Sequence, residues 1–355
     1  MKFEYAIGNP PYQEITAQKE TTTDMLARKN VFQNLQKEVE LVANNTCLIY
    51  PAKRWINRDG KGMQIFGKEQ INDTHLKALM VFEDATIPFP GIGIGDGISI
   101  VLKDMKRERA QFDYTYIKNL NDKQTARVNH PGDNMFSIDP SHNSIIIKIK
   151  KFVEDNNLAW LKNSIQPRTI FGVESNFVEE NPDKVRLYHE DDVIADDEIK
   201  LLTNDSSGSK GKPHWYITKK SYITKGQEFF DKYIVILPSV NLARLHQLDY
   251  VKPNEIFGRA KVGVKAFDNL DETKAFMKYM QSIFIQYTIV LSGGSLTNTG
   301  TITPDIIDYK HSDLIDLSKN IDEQFKQLLN ITDDEWNLIS ALVNEKVKRD
   351  KIEEV

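Results

Sequence analysis

The chain has 355 residues, 40% of them hydrophobic and 27% charged, with a formal net charge of −5. That length provides for two or three domains with cores of their own, and the apolar fraction excludes a disordered chain. No run reaches the ~18 uninterrupted apolar residues of a membrane span, and Asn9-Pro10-Pro11 interrupts the opening MKFEYAIGNPPYQ before a leader pattern can form.

Phe3, Tyr5 and Ile7 alternate as in a strand, which Gly8-Asn9-Pro10-Pro11 must end, because proline has no N–H to pair. A polar loop is expected next, with Thr23 or Asp24 as the N-cap of an amphipathic helix carrying Leu26, Phe32, Leu35, Val39 and Val42 on one face. Cys47 to Tyr50 reads as a short buried strand, followed by Pro51-Ala-Lys-Arg-Trp55 and a Gly-rich basic turn ending at Gly62. A third strand covers Leu76 to Phe82, and the turn chemistry of Phe89 to Gly97 leads into Ile98–Leu102 as a hairpin. From about Tyr114 to Leu270 the sequence is strand-rich and irregular. A helix is expected over 271–291 with Phe276, Tyr279, Met280, Ile283, Phe284 and Tyr287 on one stripe, and Thr332-Asp-Asp-Glu335 has the form of a capping box.

Charge is unevenly distributed. Glu174 to Asp205 holds 11 acidic and 3 basic side chains, whereas Ser209 to Lys265 holds 11 basic and 4 acidic. A basic segment between acidic ones can present a basic face to a polyanion. The single cysteine, Cys47, cannot form an internal disulfide, so a reducing cytoplasm is the expected location. The seven histidines lack metal-ligand spacing, and no metal is expected.

Asn9-Pro10-Pro11-Tyr12 at the end of a strand is the feature with chemical content. Methylating an exocyclic amine requires a nitrogen lone pair that is not delocalised into the ring. The Asn9 side-chain oxygen and the Pro10 carbonyl can each accept one N–H of that amine, favouring a tetrahedral nitrogen in the transition state. The two prolines keep the acceptors rigid, and Tyr12 offers a ring on which a base can stack for ~1–3 kcal/mol. A base inside a duplex must first be flipped out at a cost of a few kcal/mol. The plain alternative is a proline-terminated strand that merely turns.

The quartet is similar to the catalytic motif of S-adenosylmethionine-dependent amino-methyltransferases, especially adenine-N6 DNA methyltransferases of restriction–modification systems. YPAKRW, the basic GKG turn, FEDATIPFPGIGIGDGISIVL and IDEQFKQLLNITDDEW resemble the C-terminal half of those enzymes. The resemblance implies an α/β fold: the C-terminal half of a Rossmann-like sheet with an antiparallel last strand, then a mixed α+β target-recognition domain ending in helices. The domains are expected at 1–115 (partial catalytic), 116–270 (target recognition) and 271–355 (helical completion of the recognition domain). Family members carry the donor-binding loop upstream of the quartet, and Gly91–Gly97 has the wrong context for it, because it leads into a strand. The expectation is therefore a truncated product or one subunit of a split enzyme. Such a chain binds double-stranded DNA, supplies the target-base pocket, is inactive alone, and takes its S-adenosylmethionine site from another chain. No general base is needed, because the amine can lose its proton after transfer.

Candidate DNA contacts are Lys53, Arg54, Arg58 and Lys61 around Trp55, and Lys210, Lys212, Lys219 and Lys220 around Trp215. Each set reads equally as a solvated turn or surface hairpin, and Arg244, Arg259, Lys261 and Lys265 read as a solvated strand face. Pro182-Asp183 with Glu198-Ile-Lys200 has the spacing of a nuclease metal site, but the surrounding acidic residues read as an exposed loop. Two other functions remain: a non-catalytic specificity module that reads DNA, and a protein-glutamine or RNA amino-methyltransferase.

Overall fold

A computed structural model of the chain describes residues 2–17, 27–59, 62–208, 211–306 and 308–353, in two compact units, Met1–Asn143 and Ser144–Val355. The first unit extends past residue 115 because two further strands join its sheet. Its elements are β1 (Phe3–Gly8), β2 (Gln13–Ala17), β3 (Ala27–Asn30), α1 (Phe32–Val42), β4 (Ala43–Pro51), α2 (Lys53–Ile56), α3 (Met63–Asn72), β5 (Leu76–Phe82), β6 (Ile98–Asp104), β7 (Gln111–Asn119) and β8 (Asp122–Asn129).

Six of these strands form one sheet in the order β1-β4-β6-β5-β7-β8. β1 runs parallel to β4 and β5 parallel to β7, while β6 lies between β4 and β5 and is antiparallel to both. The antiparallel strand expected after Gly97 is thus inserted into the sheet. In place of the expected polar loop after Tyr12, β2 and β3 pair antiparallel, and the Val31 N–H closes the excursion on the Tyr12 carbonyl at 3.1 Å. The helix begins only at Phe32. Leu26 is six residues from Phe32, a spacing that falls on no helical face, and Thr23, Asp24 and Leu26 lie outside the described residues.

The sheet face under α1, α2 and α3 is a packed core. Phe32 stacks on Tyr50 with ring centroids 4.9 Å apart, and Trp55 meets Tyr50 edge-on at 6.0 Å. Several buried polar groups are matched: Trp55 Nε1 donates to Ser99 Oγ at 3.1 Å, Ser99 Oγ to the Tyr50 carbonyl at 2.8 Å, and Gln70 to the Tyr50 hydroxyl at 2.6 Å. Each large side chain buried here contributes about 1.5–3 kcal/mol. Cys47, expected to be buried, sits partly exposed on the opposite face.

The second unit contains α4 (Asn143–Asp155), β9 (Ala159–Trp160), α5 (Phe177–Glu180), β10 (Val185–Leu187), β11 (Glu198–Asn204), β12 (Pro213–Lys219), β13 (Tyr233–Pro238), β14 (Asp249–Val251), β15 (Glu255–Phe257), β16 (Lys261–Phe267), α6 (Leu270–Met280), α7 (Ile283–Leu291), β17 (Pro304–Asp305), α8 (Ile321–Leu328) and α9 (Asp333–Glu353). Strands β10-β12-β11-β15 and β14-β13-β16 form two small sheets. The expected helix over 271–291 is two helices, because the Ser282 side chain accepts the Ile285 N–H and starts α7 anew; Ile283 is consequently exposed. The C-terminal helices share one core with α4 and β16, through Ile149, Val264, Phe276, Phe284, Phe325 and Ile339. The capping box forms as expected: Thr332 Oγ1 accepts the Glu335 N–H at 3.2 Å, and Glu335 accepts the Thr332 N–H at 2.9 Å. Among the described residues no helix is long and apolar enough to cross a membrane.

Candidate functional site

Parallel strands β1, β4 and β5 end on the same side of the sheet, so three connections converge there: Asn9–Tyr12, Ala52 with α2, and the stretch 83–97. Ligands of open α/β sheets bind beyond the carboxyl ends of the strands. The loops are tied together by backbone bonds from the Lys53 N–H to the Asp96 carbonyl (2.9 Å) and from the Ala52 N–H to the Gly97 carbonyl (3.3 Å). Gly97 has φ +62, and a Cβ there would lie 2.4 Å from the Phe82 carbonyl oxygen, so only glycine lets the loop turn directly into β6.

Asn9 is exposed, Pro10 partly so, and Tyr12 packs one side against the core. The Asn9 side chain hydrogen-bonds the Tyr12 hydroxyl. Burial pushes the Tyr12 phenol up, against the smaller opposing effect of Asn9, so the ring is neutral at physiological pH. Asn9, exposed at the end of β1, presents an amide whose oxygen is an acceptor.

The basic candidates near this end have separate fates. Lys53 lies at the start of α2 and helps hold the exposed Asp84 carboxyl below its ordinary range, after the stronger effect of hydrogen bonds from Thr86. Arg54 Nε pairs with Asp96 Oδ2 at 2.8 Å. Trp55 is wholly buried, so it packs the core and has no face for a nucleic acid, contrary to expectation. Arg58 also departs from expectation: its guanidinium donates to the Gly132 carbonyl at 2.8 Å and the Asp133 carbonyl at 3.3 Å, holding a neighbouring loop. Lys61 lies outside the described residues. The sequence reading missed Asp96, which looked like a turn residue, and Glu83, whose carboxylate accepts the Tyr116 hydroxyl at 2.5 Å.

The basic segment of the second unit does not stand apart from its acidic neighbour. Antiparallel pairing of β11 with β12 brings the two together. Lys219 lies 3.6 Å from Asp197, Lys220 Nζ donates to the Asp196 carbonyl at 3.0 Å, and Arg186 bridges Asp192 and Glu198 at 3.2 Å each. Arg259 and Glu174 pair at 2.6 Å. Trp215 is not the free aromatic expected: it packs on the core and covers Lys200 Nζ at 4.7 Å, with Tyr188 at 4.2 Å and Glu255 at 3.1 Å. Lys212 remains exposed, and Lys210 lies outside the described residues. Glu198 and Lys200, weighed as nuclease residues, are engaged in these pairs. Among the described residues no three His, Cys, Asp or Glu side chains group as a metal site.

A groove of about 770 Å³ opens between α1 and α3, lined by Lys37, Glu40, Phe66, Glu69, Asp73 and Lys103. Lys103 pairs across the sheet with Thr46, near the amino end of β4, so this groove lies at the opposite end of the sheet from Asn9.

Residues 1–88, which include the quartet and run through β5, match the family model of the Eco57I restriction-modification methylase. No curated protein matches the chain. Among solved structures, the type IIL restriction-modification enzyme MmeI in complex with DNA is 7% identical with a TM-score of 0.38, over 84% of this chain and 45% of that one. The type IIG restriction endonuclease BpuSI is 10% identical with a TM-score of 0.29, over 90% and 49%. A chain of a type I R-M system is 11% identical with a TM-score of 0.25, over 44% and 31%. The chain spans less than half the length of each of these three structures.

Proposed function

We propose that this chain supplies the amine-binding half of a restriction–modification adenine-N6 DNA methyltransferase. The observation that carries the reading is the exposed Asn9 at the carboxyl end of β1, followed by Tyr12 packed on the core, within the stretch that matches a restriction-modification methylase. Asn9 Oδ1 and the Pro10 carbonyl accept the two amine N–H groups of a flipped adenine, and Tyr12 stacks on the ring. S-adenosylmethionine is the methyl donor this reading implies. Among the described residues, no glycine-rich turn runs from a strand into a helix N-terminus beside Asn9, and Gly91–Gly97 enters β6 instead. The described residues therefore do not fit the donor.

The test requires no donor. A duplex with one adenine opposite an abasic site, which lowers the cost of flipping, is compared with the same duplex carrying N6,N6-dimethyladenine. The chain binds the first at least tenfold more tightly, and Asn9→Ala removes the preference. Equal affinities for the two duplexes refute the reading. The exposed Lys212 and Lys219 on the β11–β12 hairpin favour a second reading, a DNA-recognition module without catalysis. In that case Asn9→Ala leaves all binding unchanged, whereas charge reversal at Lys212 and Lys219 removes it.

A further inference from the structure

Strands β7 and β8 reach beyond their neighbour at the end of the sheet where Asn9 lies. β5 ends at Phe82, opposite Ile117, whereas β7 continues to Asn119 before Leu120 and Asn121 turn the chain into β8. Leu120, at the tip of this hairpin, is 84% exposed. Turns select Gly, Pro, Asn, Asp or Ser for their backbone geometry or their local hydrogen bonds. Here Asn119 supplies that chemistry, its Oδ1 accepting the Asn121 N–H at 2.9 Å, so the turn has no need of a leucine. Lys118 and Lys123 flank the tip, both exposed, and among the described residues neither pairs with a carboxylate. Arg127, lower on the same hairpin, does pair, with Asp113 at 3.1 Å. Asp122, the acidic residue nearest the tip, is partly buried.

The tip stands on a fixed base. Phe112, Tyr114 and Tyr116 of β7 are buried in the core of the sheet. The Tyr116 hydroxyl donates to Glu83 at 2.5 Å, and the Glu83 N–H donates to the Ile117 carbonyl at 3.0 Å. Glu83 opens the stretch 83–97, whose far end is bonded to Ala52 and Lys53, so the hairpin and the loops beside Asn9 are braced against each other. Between β1 and β7 lie β4, β6 and β5, which sets the two strands about 19 Å apart at ~4.8 Å per step.

We infer that Leu120 is a wedge that enters the base stack of a DNA duplex when an adenine is turned out toward Asn9, while Lys118 and Lys123 hold the flanking phosphates. A two-stranded ribbon is of a size that the major groove admits. Leucine is among the apolar side chains that part a base step on insertion. An inserted side chain occupies the gap a flipped base leaves, which offsets part of the cost of flipping. The unpaired ammonium groups on either side supply the sequence-independent attraction to the backbone. A protein partner fits less well, because one leucine among lysines and asparagines falls far short of the ~800 Å² each side brings to a stable interface. The wedge rests on the methyl-transfer reading for its duplex substrate, but not on the contacts of Asn9.

The test treats duplexes that the full chain retains from a randomised pool with permanganate, which oxidises thymine where it is unstacked. Turning out an adenine orphans its thymine, so the bound duplex should show a reactive thymine that the free duplex protects. At saturating protein, Leu120→Ala should abolish that reactivity and Leu120→Phe should keep it. Leu120→Ala should also weaken binding at least tenfold. Leu41→Ala, at a residue 66% exposed at the opposite end of the sheet, should not. Lys118→Ala and Lys123→Ala should each lower the slope of log affinity against log salt by about one and leave the thymine reactive at saturation. Unchanged melting temperatures of the variants separate a lost wedge from misfolding. Failure to retain any duplex, a protected thymine in the wild-type complex, or reactivity that survives Leu120→Ala overturns the inference. Leu120-dependent reactivity without the preference for adenine over N6,N6-dimethyladenine would refute the methyl-transfer reading alone. That preference, with reactivity indifferent to Leu120→Ala, would refute the wedge alone.

Discussion

Asn9 and Tyr12 are joined by a side-chain hydrogen bond across the two prolines between them. The bond restrains the Asn9 amide. Tyr12→Phe keeps the ring and frees the amide, so the preference for adenine over its N6,N6-dimethyl analogue should fall by about fivefold, the worth of one hydrogen bond of ~1 kcal/mol. Tyr12→Ala also removes the stacking face, about 1–3 kcal/mol more. Because burial raises the Tyr12 phenol, this preference should show no Tyr12 titration up to the ordinary tyrosine value near 10. Fluorescence anisotropy across that pH range checks both points. A preference untouched by Tyr12→Phe would remove the hydrogen bond from the account.

Lys103 is 2% exposed and lies 2.6 Å from both Glu40 and Asp73. Lys103→Ala leaves two carboxylates without their shared cation and should destabilise the first unit by about 3–5 kcal/mol. Burial alone would raise the Asp73 carboxyl, but Lys103 and the His75 amide together hold it below its ordinary value. A depressed carboxyl contributes stability that is complete above the unfolded value near 3.9 and is lost as pH falls through the lower folded value. Denaturant melts should therefore steepen in their pH dependence below about pH 4, and Asp73→Asn should flatten that dependence. An equally steep profile in Asp73→Asn would assign the acid sensitivity to other groups.

Gly97→Ala places a Cβ 2.4 Å from the Phe82 carbonyl at a backbone angle of φ +62. The left-handed conformation alone costs an L-residue about 1–2 kcal/mol, and the clash must shift the loop that holds Asp96 against Lys53 and Arg54. Gly93→Ala, with nothing within 4 Å, is the matched control and should be neutral. Melting temperatures of the two variants decide the matter, since similar values would mean that the loop yields without cost.

Much of the first unit was legible because its signals are local. Alternation in Phe3–Ile7, the prolines at positions 10 and 11, and the glycine turn before Ile98 each restrict the backbone by sterics within a few residues. The hairpin of β2 and β3 was missed because polar strands pairing only with each other show no apolar alternation. Trp55 was misassigned for a different reason. Basic neighbours made it look like part of a surface patch, whereas a four-residue helix turns Lys53 and Arg54 outward and the indole inward to Ser99. In the second unit, charge counts along the sequence suggested a basic face, yet strand pairing is non-local and set Lys219 and Lys220 beside Asp197 and Asp196.

Those pairings make the lysines of the β11–β12 hairpin unequal. Lys212 and Lys219 are exposed, and the 3.6 Å contact of Lys219 with Asp197 is between two largely solvated side chains, a pair worth little. Both are therefore available to phosphates. Lys220 instead spends its ammonium on the Asp196 carbonyl, anchoring the acidic loop to the strand. If this hairpin touches DNA, Lys212→Glu and Lys219→Glu should each weaken binding similarly across unrelated duplexes. Each should also lower the slope of log affinity against log salt by about one, because each phosphate contact releases roughly one counterion. Lys220→Ala should leave the slope unchanged and cost stability of about 1 kcal/mol. Salt titrations of the three variants on two unrelated duplexes measure this directly. A slope that stays at the wild-type value in both Lys212→Glu and Lys219→Glu would move the DNA contact to another part of the chain.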